Sequence, residues 1–484
     1  MNMQLSLYDI FDDKNLEIDQ NKYVVESFSA SGFCDDTLRK KLEQKYKSIL
    51  EISDKFDRQS VSYQLSKKDI LHSWLKYKEG FSANLVNTLL DDIKAQPGDI
   101  IMDPFMGSGT TALVCQMHGI NSVGYDIMPI SKVAITAKAN VMRYDIEEIE
   151  RLINNFRNLR MPVEYFNKTP YIAITNSAYP EYNEKFIQYA TEWINDSIYT
   201  REAKNLFTLC MLNSLERCSY TSKNGQYLSW DSRSKKVIDA NVDRAKKGKK
   251  SLPVQFCRDK IENIDEAVID ELERVLNDIK IIQKNKNVNI KSEINFKQTS
   301  ALFELPNLDD NILKGVITSP PYCNRYDYTR TYALELVYMG VNEQKIKEMR
   351  QELLSCTVES KNKQTLLKEY YKSIGAIDRY NYIYEKVQSN KVLQEILQAL
   401  RQRKQHGDLN NNGIIRMVEG YFTELAFIYA ELYRVCKKGA IVAFVNDNVR
   451  YGGEVIPVDY LSTDFAEKFG FKAIKIYCLK QQKG

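Results

Sequence analysis

The most informative segment of the chain is DPFMGSGTT (residues 103–111), here called the glycine bend, which follows the apolar run 100–102. Gly107 and Gly109 permit a tight turn and allow a ligand to approach the backbone closely. If a helix begins after this turn, its free amide groups point at that ligand. Asp126 follows after about 20 residues, the spacing at which an acidic residue accepts hydrogen bonds from a ribose diol in nucleotide-binding βαβ units. The lysine of a phosphate-binding loop is missing, which excludes that kind of loop. The acidic residue instead predicts a pocket for a cofactor with free ribose hydroxyl groups.

A second informative segment is TSPPY (residues 318–322), which ends another apolar run. Its two prolines donate no amide hydrogen bonds, so neighbouring carbonyl groups stay available to face a cavity. Together with the hydroxyl group of Ser319 and the ring of Tyr322, these carbonyls can hold a planar amine. The exocyclic amine of a nucleobase is a poor nucleophile because its lone pair is delocalised into the ring. When acceptors bind both amine hydrogens outside the ring plane, the lone pair returns to the nitrogen and becomes available for attack. The segment therefore predicts a site that activates such an amine.

Taken together, the two segments resemble the amino-group DNA methyltransferases. This resemblance implies methyl transfer from S-adenosylmethionine to the exocyclic N4 of cytosine or N6 of adenine in double-stranded DNA. It implies an α/β, Rossmann-like fold with a seven-stranded, mostly parallel sheet and large, mainly helical insertions. The residues that it places around the cofactor are Asp103 near the amino group, Asp126 at the ribose, and Phe105, Gly107, Gly109 and Thr110 around the methionine half. The residues that it places in the catalytic pocket are Ser319, Pro320, Pro321 and Tyr322.

A third family element lies upstream of the glycine bend and completes the cofactor pocket. The segment HSWLKYKEGFSANLV (72–86) resembles it. Its candidate cofactor-binding residues are His72, Lys78, Phe81 and Ser82. The expected active site thus depends on segments far apart in the chain meeting in space.

The resemblance leaves several functions open. Serine rather than aspartate at position 319 favours N4-cytosine, with N6-adenine as the alternative. An RNA base or a glutamine amide also offers a planar amine, and a non-catalytic DNA-binding protein with a decayed cofactor fold is a rival of another class. The intact glycines, Asp126 and residues 319–322 argue against decay. The implied setting is a bacterial or phage restriction–modification system, with a restriction endonuclease that shares the target site.

The elements that must position these residues can be predicted from periodicity and turn signals. A helix at 83–95, a strand at 100–102, a helix at 111–118 and a strand at 122–125 together predict a βαβ unit. Further strands are expected at 289–296, 315–318, 440–447 and 472–479, and the segment 300–305 is expected to belong to the core. Further helices are expected at 36–52, 261–282, 421–439 and 459–469.

Two inserted regions interrupt this core. The expected organisation is an N-terminal helical extension (1–65), a cofactor-binding half (66–140), an inserted basic helical region (141–290), a catalytic half (291–340), a second helical insertion (341–412) and a C-terminal part of the core (413–484). Residues 223–250 carry nine basic and three acidic side chains, a local charge of +6 in a chain of net charge +4. This concentration predicts DNA contacts. The candidate DNA-binding residues are Lys235, Lys236, Lys246, Lys247 and, beside the catalytic segment, Arg325 and Arg330.

Composition excludes other classes of protein. The chain has 484 residues, of which 43% are hydrophobic, enough to build a sizeable core. Its nine cysteines form no C-x-x-C pair and it has only three histidines, so we expect reduced thiols and no metal site. The N-terminal residues lack the basic and apolar pattern of a signal peptide, and no run of about 18 apolar residues occurs. We therefore expect a cytoplasmic protein without a membrane partner.

Overall fold

The computed structural model describes residues 27–166, 171–224, 227–285 and 292–479. Its strands are β1 (Leu50–Ser53), β2 (Ile100–Asp103), β3 (Asn121–Tyr125), β4 (Thr221–Asn224), β5 (Tyr227–Trp230), β6 (Ile294–Lys297), β7 (Leu313–Thr318), β8 (Cys436–Phe444), β9 (Val449–Tyr451), β10 (Glu454–Ile456) and β11 (Ile476–Leu479). Its helices are α1 (Thr37–Tyr46), α2 (Ala83–Ile93), α3 (Thr110–Met117), α4 (Pro129–Ala139), α5 (Ile146–Arg157), α6 (Glu181–Asp196), α7 (Arg201–Ser214), α8 (Lys235–Lys246), α9 (Ile264–Lys284), α10 (Ala301–Glu304), α11 (Tyr328–Thr331), α12 (Ala333–Tyr338), α13 (Glu343–Glu352), α14 (Gln364–Ser373), α15 (Ile377–Gln388), α16 (Lys391–His406), α17 (Ile414–Val435) and α18 (Val458–Lys468).

A parallel sheet with the strand order β6-β3-β2-β7-β8 forms the centre of the described structure. Met102 on β2 lies opposite Val123 on one side and Val316 on the other. The chain places β3 and β6 on one side of β2, and then β7 and β8 on the other. The carboxyl ends of β2 and β7 therefore flank the point at which the strand order reverses, which is where open α/β sheets bind ligands.

The predicted fold class is confirmed as a mixed α/β fold around a parallel sheet. In the described residues this sheet has five strands, and the seven that the resemblance implies stay a prediction. The βαβ unit of β2, α3 and β3 follows the predicted bounds to within one residue at each end. It does so because the buried apolar runs and the glycines that separate them are local signals.

Between residues 141 and 285, the described residues are mainly helical and pack on the core through their own helices. Leu206 of α7 and Leu272 of α9 are fully buried in the same apolar cluster as Ala134 of α4. The region also contains the antiparallel hairpin of β4 and β5, which the sequence analysis did not predict. Residues 286–291 lie outside the described residues, so the predicted strand 289–296 is seen only as β6.

Four predicted elements need correction. The strand expected at 440–447 is β8, which begins at Cys436 and ends at Phe444. The helix expected at 36–52 ends at Tyr46, and Leu50–Ser53 forms β1, which pairs in parallel with β11. The strand expected at 472–479 begins only at Ile476 and belongs to this pair instead of the central sheet. The helix expected at 421–439 begins at Ile414 and ends at Val435, because β8 already starts at Cys436.

All nine cysteines are free thiols. Among the described residues, no helix is both long enough and apolar enough to cross a bilayer.

Candidate active site

The glycine bend and the TSPPY segment meet at the carboxyl ends of β2 and β7. Thr318, the last residue of β7, donates a hydrogen bond of 2.5 Å from its Oγ1 to Oδ1 of Asp103, the last residue of β2. Thr111 of α3 donates from its Oγ1 to the carbonyl oxygen of Ile317 at 3.2 Å. These two buried bonds join residues that are 215 and 206 positions apart in sequence.

A cleft of about 780 Å³, part of it open to solvent, lies where these segments meet. Its walls come from both halves of the expected site. The lining residues are 103–108 and Thr110 of the glycine bend, Tyr77 and residues 79–81 upstream of it, 126–128 after β3, 299–302 before β7, Ser319 and Pro321 after β7, and Tyr328, Leu353 and Leu354. The cleft therefore has room for a ligand that touches both segments.

The two glycines of the bend take conformations that other residues rarely adopt. Gly107 has a φ of +50° and Gly109 a φ of +87°. A Cβ atom on Gly109 would lie 2.6 Å from Cγ1 of Ile135, and one on Gly107 would lie 3.0 Å from Cε1 of Tyr77. Glycine is thus required at position 109 both by backbone conformation and by space, and α3 begins directly after it with its free amides at the cleft.

Asp126 ties the bend to the end of β3. Its Oδ2 accepts a hydrogen bond from the amide of Gly107 at 2.8 Å, and its Oδ1 accepts one from the amide of Met128 at 2.7 Å. Each carboxylate oxygen has a further lone pair that can accept from a ligand hydroxyl group. Burial raises the pKa of Asp126, although the two amides oppose this shift.

Asp103 is a buried carboxyl group on the floor of the cleft. Its Oδ1 accepts from Thr318 and, at 3.0 Å, from the amide of Phe105. Burial raises the pKa of Asp103 to about 6 despite these hydrogen bonds. At pH 7 the group is still largely ionised.

The charged residues that line the cleft are all acidic. They are Glu79, Asp103 and Asp126, and no lysine, arginine or histidine is among the described lining residues. Four aromatic rings, those of Tyr77, Phe81, Phe105 and Tyr328, also line it. Carboxylates and aromatic faces both stabilise a cation, so this cleft suits a ligand that carries positive charge and is unfavourable for a phosphate.

The segment 319–322 contributes to the cleft wall through two of its residues. Ser319 donates from its Oγ to the phenol oxygen of Tyr322 at 3.3 Å. Among the described residues, the carbonyl groups of residues 319–321 accept no backbone hydrogen bond, whereas that of Thr318 accepts one from the amide of Val445. Ser319 and Pro321 line the cleft, while Pro320 is buried behind them and Tyr322 is half-buried. Burial raises the pKa of Tyr322 to about 12, so its phenol is neutral at pH 7.

Of the upstream candidates, one faces the cleft. Phe81 lines it, whereas Ser82 caps the N-terminus of α2 and donates to the carbonyl oxygen of Ser60 at 2.8 Å. Nδ1 of His72 is buried without a hydrogen-bond partner among the described residues, and burial lowers the pKa of His72 to about 3. Lys78 points its ammonium group at the carbonyl oxygen of Lys223.

The candidate DNA-binding residues fall into two groups. Lys235, Lys236 and Lys246 lie on α8 and Lys247 follows it; all four are at least partly exposed, and α8 buries none of its residues. Of these lysines, Lys236 donates to the carbonyl oxygen of Ala173 at 3.3 Å and Lys246 lies 3.9 Å from Asp243. The two arginines also have partners within the chain. Arg325, which has a φ of +67°, donates to Oδ1 of Asn410 at 3.0 Å, and Arg330 pairs with Glu359 at 3.0 Å.

Sequence reasoning missed several residues at this site, and three of them bear on its chemistry. Tyr77 and Glu79 line the cleft on either side of Lys78, and their place in the segment 72–86 was the only available signal. Lys138 of α4 is buried behind the bend, where its Nζ donates to the carbonyl oxygen of Ser108 at 3.2 Å. Burial lowers the pKa of Lys138 to about 7.

Comparison with known proteins gives a consistent assignment. A family model described as DNA methylase matches residues 9–135. The type II methyltransferase M.BsoBI of Geobacillus stearothermophilus is 48% identical over 470 residues, which cover 97% of this chain and 92% of that protein. The type II methyltransferase M.AvaI of Nostoc sp. is 36% identical over 453 residues, 92% of this chain and 88% of that protein. The type II methyltransferase M.MjaII of Methanocaldococcus jannaschii is 30% identical over 149 residues, which cover 29% of this chain and 27% of that protein.

The matches to M.BsoBI and M.AvaI cover nearly the whole chain, so the likeness is not confined to the residues that the family model matches. The family's methyl donor is S-adenosylmethionine, and its substrate is DNA. The chain belongs to the amino-group DNA methyltransferases of type II restriction–modification systems.

Proposed function

We propose that this protein methylates the exocyclic N4 amine of cytosine in double-stranded DNA, with S-adenosylmethionine as donor, and protects DNA from a restriction endonuclease of the same specificity. One observation carries the proposal. A cleft lined by acidic and aromatic residues opens onto Ser319 and Pro321, so a cationic donor and a planar amine have adjoining places.

The cofactor half fits S-adenosylmethionine by charge. A dinucleotide would place its phosphates among Glu79, Asp103 and Asp126, whereas a sulfonium and an ammonium group are stabilised there. Asp126 is assigned to the ribose hydroxyl groups, and Asp103 to the ammonium group. Phe105, Gly107, Gly109 and Thr110 would enclose the methionine half.

The target half would hold the cytosine after it is flipped out of the duplex. The hydroxyl group of Ser319 and the free carbonyl groups beside the prolines accept the two amine hydrogens, and the ring of Tyr322 stacks on the base. When bound, S-adenosylmethionine supplies a sulfonium methyl group, which passes to the amine nitrogen as the carbon–sulfur bond breaks. The nitrogen then releases one proton to water, so the reaction needs no covalent enzyme intermediate.

Serine at position 319 is the residue that supports cytosine over adenine. The N6 amine of adenine is the alternative target, because the same acceptors could hold it.

DNA is proposed to bind across α8. This helix presents Lys235, Lys236 and Lys246 without burying any of its residues, which is the arrangement expected for contacts with phosphates. Arg325 and Arg330 are proposed to move from their present partners to the DNA beside the target base.

The direct test supplies plasmid DNA from a host without methyltransferases and a labelled methyl donor, and then digests the DNA to nucleosides. We expect label in N4-methylcytosine. Label in N6-methyladenine would replace the cytosine assignment, and label in RNA or in a glutamine-containing peptide but not in DNA would overturn the choice of DNA. Absence of both transfer and donor binding would indicate a decayed enzyme. Mapping the modified sites would give the recognition sequence and hence the matching endonuclease.

A further inference from the structure

The hairpin of β4 and β5, which belongs to the inserted region, is anchored by a buried charge near the cofactor cleft. Lys223 of β4 forms an ion pair with Glu335 of α12, and their side chains are 4% and 2% exposed. α12 follows the catalytic segment in the chain. The ion pair therefore joins the inserted region to the catalytic half of the core.

From Lys223 the contacts continue into the cleft wall through Tyr332. The Nζ atom of Lys223 lies 4.4 Å from the ring centroid of Tyr332, which is a cation–π contact. The hydroxyl group of Tyr332 donates to Oε2 of Glu79 at 2.5 Å, and its ring stacks on Tyr77 at 5.2 Å between centroids. Glu79 and Tyr77 both line the cofactor cleft, and Tyr77 also limits the space beside Gly107.

A second set of bonds connects the same two segments. The ammonium group of Lys78 donates to the carbonyl oxygen of Lys223. The carboxylate of Glu216 accepts from the amide of Lys223 at 3.1 Å and from Nζ of Lys76 at 3.0 Å. The hairpin and the segment 76–79 are thus held together at several points, and a displacement of one requires a displacement of the other.

At its other end, the hairpin leads directly to α8. The ring of Trp230, the last residue of β5, lies 4.2 Å from Nζ of Lys236 in the first turn of α8. DNA bound to α8 would therefore act on the hairpin through a few residues.

Folding stability alone does not favour a buried ion pair at this position. Replacing a buried ion pair by apolar residues of similar size is often neutral or stabilising, because desolvation of the charges is costly. Oε2 of Glu335 moreover has no hydrogen-bond partner among the described residues. The ion pair thus costs desolvation free energy and leaves one carboxylate oxygen without a hydrogen bond. Because it also lies between the two proposed binding regions, it suits a role in positioning.

We propose that Lys223 is a positioning residue that couples DNA binding by the inserted region to cofactor binding in the cleft, acting through Tyr332 on Glu79 and Tyr77. This rests on the proposed function, which assigns DNA to α8 and the cofactor to the cleft. The coupling is reciprocal: DNA tightens cofactor binding by the same factor by which the cofactor tightens DNA binding.

The test measures this factor by calorimetry with sinefungin, a nonreactive amine analogue of S-adenosylmethionine, and unmethylated plasmid DNA. For the wild-type protein we expect about a tenfold tightening in both directions, within the range usual for coupled sites. Lys223→Met should bring the factor to about twofold or less. Tyr332→Phe, which keeps the ring and removes only the hydroxyl group, should reduce it at least threefold and serves if Lys223→Met does not fold.

A matched control is Lys363→Met. Lys363 forms an equally buried ion pair with Glu424, with side chains 4% and 2% exposed, beside Ser355 near the cleft. We expect this variant to lose stability and keep the wild-type coupling. Coupling absent from the wild-type protein, or unchanged in folded Lys223→Met or Tyr332→Phe, would overturn the inference. Failure of the wild-type protein to bind sinefungin or DNA at all would instead count against the proposed function.

Discussion

The cofactor cleft and helix α8 are held in place in opposite ways. At the cleft, the carboxyl groups of Asp103 and Asp126 bind amides of the bend, and the bend packs against Ile135 and Tyr77. In α8, no residue is buried, and Ile238 and Val242 are 49% and 47% exposed. The chain thus determines the shape of its candidate active site by itself, whereas α8 is held by few contacts of its own side chains with the rest of the chain. Under the proposed function, the cleft supplies the fixed geometry that chemistry requires, and α8 supplies the adaptable contact that DNA binding requires.

The largest predicted effect is a loss of turnover when Tyr322 is replaced. Tyr322→Ala removes the ring that is proposed to stack on the target base, and a displaced reactant costs about 100-fold or more in rate. Turnover with labelled donor should fall by that factor, while sinefungin affinity should change by less than about threefold because the ring does not line the cofactor cleft. The matched control Tyr322→Phe keeps the ring and should retain most turnover. Equal losses of turnover and of cofactor affinity in Tyr322→Ala would contradict the division of the site into two halves.

The next effect in size is a loss of DNA affinity when the lysines on and beside α8 are replaced. Replacing Lys235, Lys236, Lys246 and Lys247 by glutamine should weaken binding of plasmid DNA by roughly 100-fold at low salt. The slope of log affinity against log salt should become shallower by about 3 to 4, since each phosphate that a lysine neutralises adds about 0.9 to that slope. Cofactor affinity measured without DNA should not change. The control replaces four exposed lysines of the second insertion, Lys345, Lys347, Lys368 and Lys372. If this control weakened DNA binding equally, the proposal that DNA binds at α8 would be wrong.

A matched pair of glycines compares the two regions by stability. Gly109 and Gly248 both have positive φ, at +87° and +64°, but a Cβ atom on Gly248 would meet nothing within 4 Å. Gly248→Ala should therefore cost only the backbone strain, about 1 kcal/mol of the free energy of unfolding. Gly109→Ala adds a steric clash with Ile135 and should cost about 3 kcal/mol. Urea unfolding measures both, and equal losses would mean that the bend is not the more tightly packed region.

The same contrast explains how far the sequence could predict the structure. β2, α3 and β3 could be predicted closely because their buried runs, their glycines and Asp126 are neighbours in sequence. The pairing of β1 with β11 could not, because it depends on a contact between the two ends of the chain. Lys223 lies in a strongly basic stretch and would be expected in solvent, yet it is buried against Glu335. Its environment comes from α12, more than 100 residues away, and no local pattern encodes it.

For the site, the sequence predicted which segments meet better than it predicted the partners of individual residues. Asp103, Asp126 and Ser319 meet as expected, since the ends of adjacent parallel strands lie at one edge of the sheet. Glu79 was missed because a single glutamate in a charged segment is usually a solvent-exposed residue. Its place in the cleft depends on Tyr332, which comes from the other half of the chain.

The smallest effect tests the charge of the cleft through pH. Burial raises the pKa of Asp103 to about 6 in the free protein, so below this pH the group binds a proton and loses the charge that attracts a cationic donor. Sinefungin affinity should be nearly constant from pH 8 to 7 and then fall by up to about tenfold per pH unit below pH 6, because binding must displace one proton. Asp103→Asn carries no ionisable group at this position, so its affinity should be lower at pH 7.5 and should vary much less between pH 7 and 5.5. If the variant kept the full pH dependence of the wild-type protein, another acid, such as Asp126, would be the group that senses the donor's charge.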